Sequence, residues 1–594
     1  MSFHPNDIAR RTRLSAFALC TGFVLLLGAF FRAQILQTNS YVLQSQENRL
    51  RPIPLPAPRG IIYDRKGKII AENLPAYSVS VTAPSLDSLR SSLKQLQPTL
   101  QLTDVDINKA IRRYRRAPTR PTVVLADASI DVISVLEEHR IDYPRLIIQS
   151  VPKRFYPDGP LVASFVGYTG EITESDLNLP QFEGYKPGQN IGKGGLEKQY
   201  EPILHGREGV RYDEVDARGR AVRGVGPRPE VDPVGAPPLQ TNIDLDLQKF
   251  VASVFADSLR GGAIAMEPKT GAVLALYSNP SFDPNRFTGG IPADYWKQLN
   301  SDPWRPLFNK VIQGTYPPAS TYKLATATIG LQNKLVKMTD RMPIPCSGGM
   351  QYGRRYFRCW EKRGHGYQTL SGAIEKSCDV YFYQLGLRIG LSRLVGGGID
   401  LQFADRSGID LPNEYKPRFP ARDVKAYYDR RYGSRGWTPG ANALNLSIGQ
   451  GENSQTVVNM AKFFTALATD GHTATPELVR QNPERKKILT LSTSQMADIR
   501  TALAGVVSAR GTAGGSAIKG LVIAGKTGTA QNSENPDLDH AWFVGFAPAD
   551  NPIILVAVFL EFGDHGWQAA RVASKIMGYY TGAVPVELVN TDGE

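Results

Sequence analysis

Eighteen consecutive residues, Leu14 to Phe31, carry no charge, and a helix needs about 20 apolar residues to cross a bilayer. No second run of this kind occurs in the 594 residues. Arg10, Arg11 and Arg13 stand just before it, and basic residues at one end of a span tend to stay on the cytoplasmic side. A cleaved secretory signal would have a shorter apolar core, about 7 to 15 residues, closed by a small-x-small site. This run closes on Phe30-Phe31-Arg32 instead. The expected topology is a cytoplasmic tail over 1–13, a membrane anchor over 14–36 and the remainder outside the cytoplasm.

That placement decides how the charge is read. Sixty-nine Lys and Arg against 56 Asp and Glu leave +13, an excess that in a cytosolic chain raises the question of nucleic acid. Outside the membrane that role is excluded, and no nucleic-acid partner is expected. Hydrophobic residues make up 42% of the chain and charged residues 21%, enough apolar material for several folded units of about 100 to 200 residues each.

Pro52, Pro54, Pro56 and Pro58 alternate with other residues, which favours an extended, semi-rigid spacer. Ile61 to Ile70 reads as two short strands around the charged turn Asp64-Arg65-Lys66-Gly67. A second Pro/Gly-rich stretch, Val225 to Pro238, separates a mixed α/β unit over 40–235 from a larger unit over 240–587. In the larger unit Gln248 to Leu259 has helical spacing, and Gly262 to Ser278 reads as a hairpin turning at Pro268-Lys269-Thr270-Gly271. Leu521 to Thr529, Ala541 to Phe546 and Ile553 to Phe562 are strand-like, and Gln568 to Tyr580 is helical. Two early strands, three late ones and helical pattern between them predict an α+β domain whose sheet is closed by distant parts of the chain.

A serine hydroxyl needs a base beside it to attack at neutral pH. Ser and Lys at i and i+3 of a helix supply one, because both side chains share a face. If the Ser opens that helix, the N-terminal dipole also favours a developing oxyanion. Four pairs fit this spacing: Ser91/Lys94, Ser150/Lys153, Ser320/Lys323 and Ser516/Lys519. Only Ser320 follows turn-forming prolines and precedes a helix former run, in Tyr-Pro-Pro-Ala-Ser320-Thr-Tyr-Lys323-Leu-Ala-Thr-Ala. Ser377-Cys378-Asp379 follows 57 residues after Ser320, and Lys526-Thr527-Gly528 follows 149 after Ser377. These have the order of a Ser-x-x-Lys, Ser-x-Asn, Lys-Thr-Gly set. Lys269-Thr270-Gly271 precedes the Ser and sits at a hairpin tip, whereas Lys526 follows an apolar strand. A glycine at 528 would let a substrate backbone approach the sheet edge.

In this order the three elements resemble the transpeptidases called class B penicillin-binding proteins, over nearly the whole chain. Arg59-Gly60-Ile61-Ile62-Tyr63-Asp64-Arg65, Gly192-Lys193-Gly194-Gly195-Leu196-Glu197 and Glu214-Val215-Asp216 are similar to that family's pedestal motifs. Asp539-His540-Ala541-Trp542-Phe543 points to the elongation-type subgroup, penicillin-binding protein 2. The resemblance implies an anchored pedestal and a domain of the penicillin-binding, serine β-lactamase-like fold, with an antiparallel five-stranded sheet flanked by helices. It implies that Ser320 attacks the penultimate D-Ala carbonyl of a peptidoglycan stem peptide and that neutral Lys323 takes its proton, with the charge of Lys526 lowering the pKa of Lys323. Ser377 would relay a proton to the leaving amine, and Lys526 and Thr527 would hold the substrate carboxylate. Asp379, Gly528 and Thr529 would complete the substrate site, with the backbone N–H groups of Ser320 and Thr529 as oxyanion hole. β-Lactams would acylate Ser320. The implied setting is the inner membrane of a bacterium with the bulk periplasmic, and the implied partners are a RodA-like membrane glycosyltransferase and an MreC-like regulator. Two departures stand out: the family often has Gly at the place of Ala319 and Asn at the place of Asp379. An ionised Asp only accepts hydrogen bonds, so pairing with Lys323 or Lys526 is expected of it.

Cys346, Cys359, His365 and Cys378 are spaced by 13, 6 and 13 residues. Three thiolates and an imidazole suit a closed, tetrahedral structural zinc site. A Cys346–Cys359 disulfide in an oxidising compartment is the alternative. Elongation-type members can carry zinc in this region on Asp, His and Cys, and the resemblance therefore favours zinc, which would brace the loop that holds Ser377. No organic cofactor is expected. A D,D-carboxypeptidase, which passes the acyl group to water, and a non-catalytic scaffold are the rival functions.

Overall fold

The structure is a computed structural model that describes residues 5–36, 50–118, 120–214, 230–255, 259–479, 484–531 and 538–583. Pro5–Phe31 is one α-helix that runs into a π-helical turn at Arg32–Leu36. Its segment Thr12–Ile35 has a mean hydropathy of 2.2 and none of it is buried, so it is long and apolar enough to cross a membrane.

Of the four alternating prolines, Pro52 and Pro54 lie in a sheet strand, and Pro56 and Pro58 follow it in irregular chain. Leu50–Leu55 is a strand, paired antiparallel with Gly209–Glu214 so that Pro52 stands opposite Tyr212 and Pro54 opposite Val210. It is the outer strand of a three-stranded sheet. Prolines two apart share one side of a strand, and at a sheet edge their missing N–H groups cost no ladder bond. Of the expected motif Glu214-Val215-Asp216, Glu214 ends the partner strand, and Val215 and Asp216 lie outside the described residues.

A second pedestal sheet is built on the 13-residue strand Ile69–Val81, which pairs with Ile62–Tyr63, Thr122–Ala128 and Leu146–Phe155. The turn Asp64–Lys68 is tied by Asp64 Oδ1, which accepts from Lys66 N and Lys68 N, both at 2.8 Å. Leu239–Gln240, beyond the Pro/Gly-rich stretch, adds to this sheet in parallel with Ile62–Tyr63. Helices Leu86–Leu100, Asp104–Arg116 and Ile130–Glu138 cover it through Leu89, Leu93, Ala110 and Leu136.

The larger unit holds a five-stranded antiparallel sheet in the order Val273–Asn279, Arg260–Met266, Ile554–Glu561, His540–Ala547, Ala524–Ala530. Strand side chains alternate between faces. Trp542, Val544 and Phe546 therefore meet the large helical lobe, while Ala541 and Phe543 meet helix Gly566–Thr581. Both faces are buried, which is why these strands read as nearly continuous apolar runs. The expected helix over 248–259 begins earlier, at Leu245, where Asp244 caps it, and ends at Ser253; residues 256–258 lie outside the described residues.

Candidate active site

Pro318 precedes a single 3-10 turn, Ala319–Tyr322, that flows into the α-helix Lys323–Gln332. Ser320 thus lies one turn before the α-helix instead of opening it. Ala319 has φ +48°, a left-handed conformation that glycine adopts without strain, which accounts for the glycine common at this place in the resembling family. The side chain of Lys323 is fully buried. Its ammonium donates to Ser377 O at 2.8 Å and to Ser377 Oγ at 3.2 Å, and pairs with Asp379 Oδ1 at 2.8 Å.

Ser377 sits in the turn between helices Leu370–Glu375 and Asp379–Ile389 and has φ +54°. Strained backbone of this kind persists only where its surroundings over-determine it. Here Ser377 O accepts from both Lys323 and the indole N–H of Trp360, at 3.2 Å for the latter. Asp379 pairs with Lys323 and not with Lys526, and its Oδ2 accepts from Trp360 N at 3.1 Å. Both carboxylate oxygens are engaged, so Asp379 positions Lys323 rather than offering a free acceptor to substrate. Burial pushes its carboxyl pKa up, and the charge of Lys323 works against that rise.

Lys526, Thr527, Gly528 and Thr529 lie on the edge strand Ala524–Ala530. Lys526 is fully buried and, among the described residues, donates only to Thr527 O, at 3.1 Å. Burial holds its amine well below the usual lysine range, and the charge of Lys323 adds to that effect. Asp379 pairs with Lys323, whereas among the described residues Lys526 meets only a carbonyl. Gly528 also has a packing role. A Cβ there would stand 3.1 Å from Pro318 O and 3.2 Å from Thr321 Cγ2, so glycine lets the strand close on the Ser320 turn. Thr527 Oγ1 meets Thr512 Oγ1 at 2.6 Å, and Thr529 Oγ1 accepts from Gly566 N at 3.2 Å.

Ser320, Ser377, Asp379, Thr527, Gly528 and Thr529 line one cleft of about 1120 Å³, with Lys323 and Lys526 buried behind it. The other Ser/Lys pairs are elsewhere: Ser150 and Lys153 on a pedestal strand, Ser91 and Lys94 on a pedestal helix, and Ser516 and Lys519 around a surface turn. Lys269-Thr270-Gly271 is the hairpin tip, with Lys269 Nζ 3.2 Å from Asn551 Oδ1. Sequence reasoning missed Trp360 and Thr512. Trp360 follows Cys359 directly and this adjacency was its signal; Thr512 had none.

The four candidate metal ligands converge. One donor atom from each of Cys346, Cys359, His365 and Cys378 lies within 4.8 Å of all the others. Cys346 Sγ and Cys359 Sγ stand 3.7 and 3.6 Å from His365 Nδ1, and the ligands of a tetrahedral zinc are about 3.6 Å apart for a sulfur–nitrogen pair. The cysteines are free thiols, with no disulfide between Cys346 and Cys359. A hydrogen bond from Cys378 pulls the thiol pKa of Cys359 well down and pushes that of Cys378 up.

The chain matches the family described as penicillin binding protein transpeptidase domain over residues 261–578 and the penicillin-binding protein dimerisation domain over 54–232. It is 33% identical to the peptidoglycan D,D-transpeptidase MrdA of Haemophilus influenzae, over 97% of this chain and 92% of that protein. Its fold is similar to penicillin-binding protein 2 of Helicobacter pylori solved in complex with MreC, at a TM-score of 0.78 and 26% identity, over 90% of this chain and 100% of the other. A solved peptidoglycan synthase complex contains a chain at a TM-score of 0.68 and 28% identity, over 97% of this chain and 99% of that one. With the three motifs on one cleft, the chain belongs to the class B penicillin-binding proteins, in the elongation-type group of penicillin-binding protein 2.

Proposed function

We infer that the protein is a peptidoglycan D,D-transpeptidase that cross-links stem peptides through an acyl-serine. The observation that carries this reading is the convergence of Ser320, Ser377 and the Lys526-Thr527-Gly528 strand on one cleft, with Lys323 behind them. Ser320 Oγ attacks the penultimate D-Ala carbonyl, its proton passes to the amine of Lys323, and the terminal D-Ala leaves with a proton relayed through Ser377. Lys323 donating to Ser377 Oγ gives that relay a direct hydrogen bond. Thr527 and Thr529 on the edge strand offer hydroxyls to the substrate carboxylate, and the N–H groups of Ser320 and Thr529 face the oxyanion. A neighbouring stem-peptide amine then takes the acyl group.

Incubation with a penicillin is expected to add one acyl mass to the peptide bearing Ser320. An adduct on any other residue rejects the nucleophile. Product analysis with a donor and an acceptor peptide is expected to show the cross-linked dimer; hydrolysis alone would make the protein a carboxypeptidase.

The anchor reading places the N-terminus in the cytoplasm and the catalytic domain in the periplasm of a bacterial inner membrane, supported by Arg10, Arg11 and Arg13 before the apolar helix. The pedestal reads as residues 40–235 and the catalytic domain as 240–587. By analogy with the MreC complex and the synthase complex, the pedestal engages an MreC-like regulator and a RodA-like glycosyltransferase. Its motifs form a buried ion network. Arg59 Nε donates to Glu197 Oε2 at 2.9 Å, Arg154 Nε to Glu197 Oε1 at 2.6 Å, and Arg59 also pairs with Glu201 at 2.8 Å. Burial alone would lower the pKa of Arg59, but the charges of Glu197 and Glu201 outweigh it. Glu197→Gln leaves two buried guanidiniums short of an anion and is expected to cost about 3–5 kcal/mol of stability in denaturant melts. Changes over Arg59 to Arg65 are expected to impair glycan polymerisation by the partner while Ser320 stays reactive to penicillin. Equal loss of both would count against the pedestal reading.

Zinc is the proposed occupant of the Cys346, Cys359, His365, Cys378 cluster, supported by the donor set and the sulfur–nitrogen separations. Four protein ligands make such a site structural, and zinc there would stiffen the Cys359-Trp360 segment.

A further inference from the structure

Between Cys346 and Gly366 the chain leaves the helical lobe as an excursion closed at its base. Cys346 and Gly366 exchange backbone hydrogen bonds, each 2.9 Å, and the thiol–imidazole cluster sits at the same base. The excursion carries the hairpin Gly349–Tyr352 and Arg355–Arg358. It is strongly basic, with Arg354, Arg355, Arg358, Lys362 and Arg363 against one acid, Glu361, whose carboxylate turns to Arg363 N at 3.0 Å.

Arg355, Arg358 and Lys362 are exposed and line the cleft that holds Ser320. Among the described residues none of the three has an ion-pair partner. Among the described residues the acids lining the same cleft are Asp379, engaged by Lys323 and Trp360, and Asp539, which also has a partner. Like charges lining one cleft repel each other, and they attract an anion that enters it. The carboxylate at the C-terminus of the stem peptide is already assigned to the edge strand.

We propose that Arg355, Arg358 and Lys362 recognise a second carboxylate of the stem peptide, so that the enzyme selects stem peptides carrying that additional anion. The proposal rests on the transpeptidase reading. Two carboxylates have this chemistry: the α-carboxylate of a γ-linked D-glutamate at the second position, and the side-chain carboxylate of a diamino dicarboxylic acid at the third. Because the excursion is closed at its base, it is held in place before substrate arrives, and preorganised groups lose less freedom on binding.

The test uses the full-length protein in detergent and three synthetic pentapeptides: one with both carboxylates free, one amidated at the second position and one amidated at the third. D-Ala release gives kcat and KM. For the wild type, at least one amidation is expected to raise KM about tenfold, the loss of a charged contact, and the arm that does so names the carboxylate. Raising ionic strength is expected to narrow the gap, because exposed cations are screened. In the variant combining Arg355→Gln, Arg358→Gln and Lys362→Gln the three peptides are expected to share one KM. A wild type that treats all three peptides alike, or a variant that keeps the discrimination, overturns the proposal. A wild type that is not acylated by penicillin at all would instead sink the transpeptidase reading.

Discussion

Ser320→Ala is expected to abolish the penicillin adduct and to lower peptide turnover by about 10⁴-fold or more, since a nucleophile acting in one unit with its base cannot be partly replaced. Its melting temperature is expected to stay near that of the wild type. The residue is only half-buried, and the turn that holds it is set by Pro318 and by the close approach of Gly528. Lys323→Met should lose activity to a similar extent and behave differently on heating. It leaves the buried carboxylate of Asp379 without its partner at 2.8 Å, a defect of about 3–5 kcal/mol. Calorimetry of the two inactive variants therefore separates a chemical role from a chemical and structural one. A penicillin adduct that persists in Ser320→Ala, or a Lys323→Met protein as stable as the wild type, would contradict this arrangement.

The second large effect concerns the cysteine cluster. Metal analysis of purified protein is expected to find one zinc per chain, and Cys359→Ala none. Structural zinc sites contribute about 10–16 kcal/mol of binding free energy in small zinc-dependent domains. Here the excursion would take most of that loss. Trp360, next to Cys359, donates from its backbone to Asp379 and from its indole to Ser377, so slackening this segment reaches both partners of Lys323. Chelation is accordingly expected to lower the melting temperature by several degrees and to slow acylation by penicillin at least tenfold, while a zinc-free wild type of full stability would reject the site.

Much of this was legible in residue order. The proline-framed Ser320, the Ser377–Asp379 element and the second Lys-Thr-Gly carry local signals, and the apolar strands of the catalytic sheet announce burial on both faces. What escaped depends on contacts across long separations. The strand Leu50–Leu55 was hidden because its prolines suit an edge as well as a spacer, and the edge exists only through the partner strand Gly209–Glu214. The engagement of both Asp379 oxygens needed Trp360, 19 residues away, in place. The lowered pKa of Lys526 comes first from burial, a product of packing that no spacing encodes. The strand Leu239–Gln240 is too short for any periodicity to reveal.

The catalytic sheet also has a timing built into it. Ala263 pairs with Val558, which leaves the ribosome 295 residues later, and the Lys526 strand joins the sheet only through the strands after it. Long-range pairings of this kind form late and slowly. During synthesis Ser320 would therefore emerge well before the strand it needs, and the growing chain would stay chemically silent until its last strands had formed. Nascent or truncated copies would be unable to join cell-wall strands at the wrong place, a safeguard that follows from strand order alone.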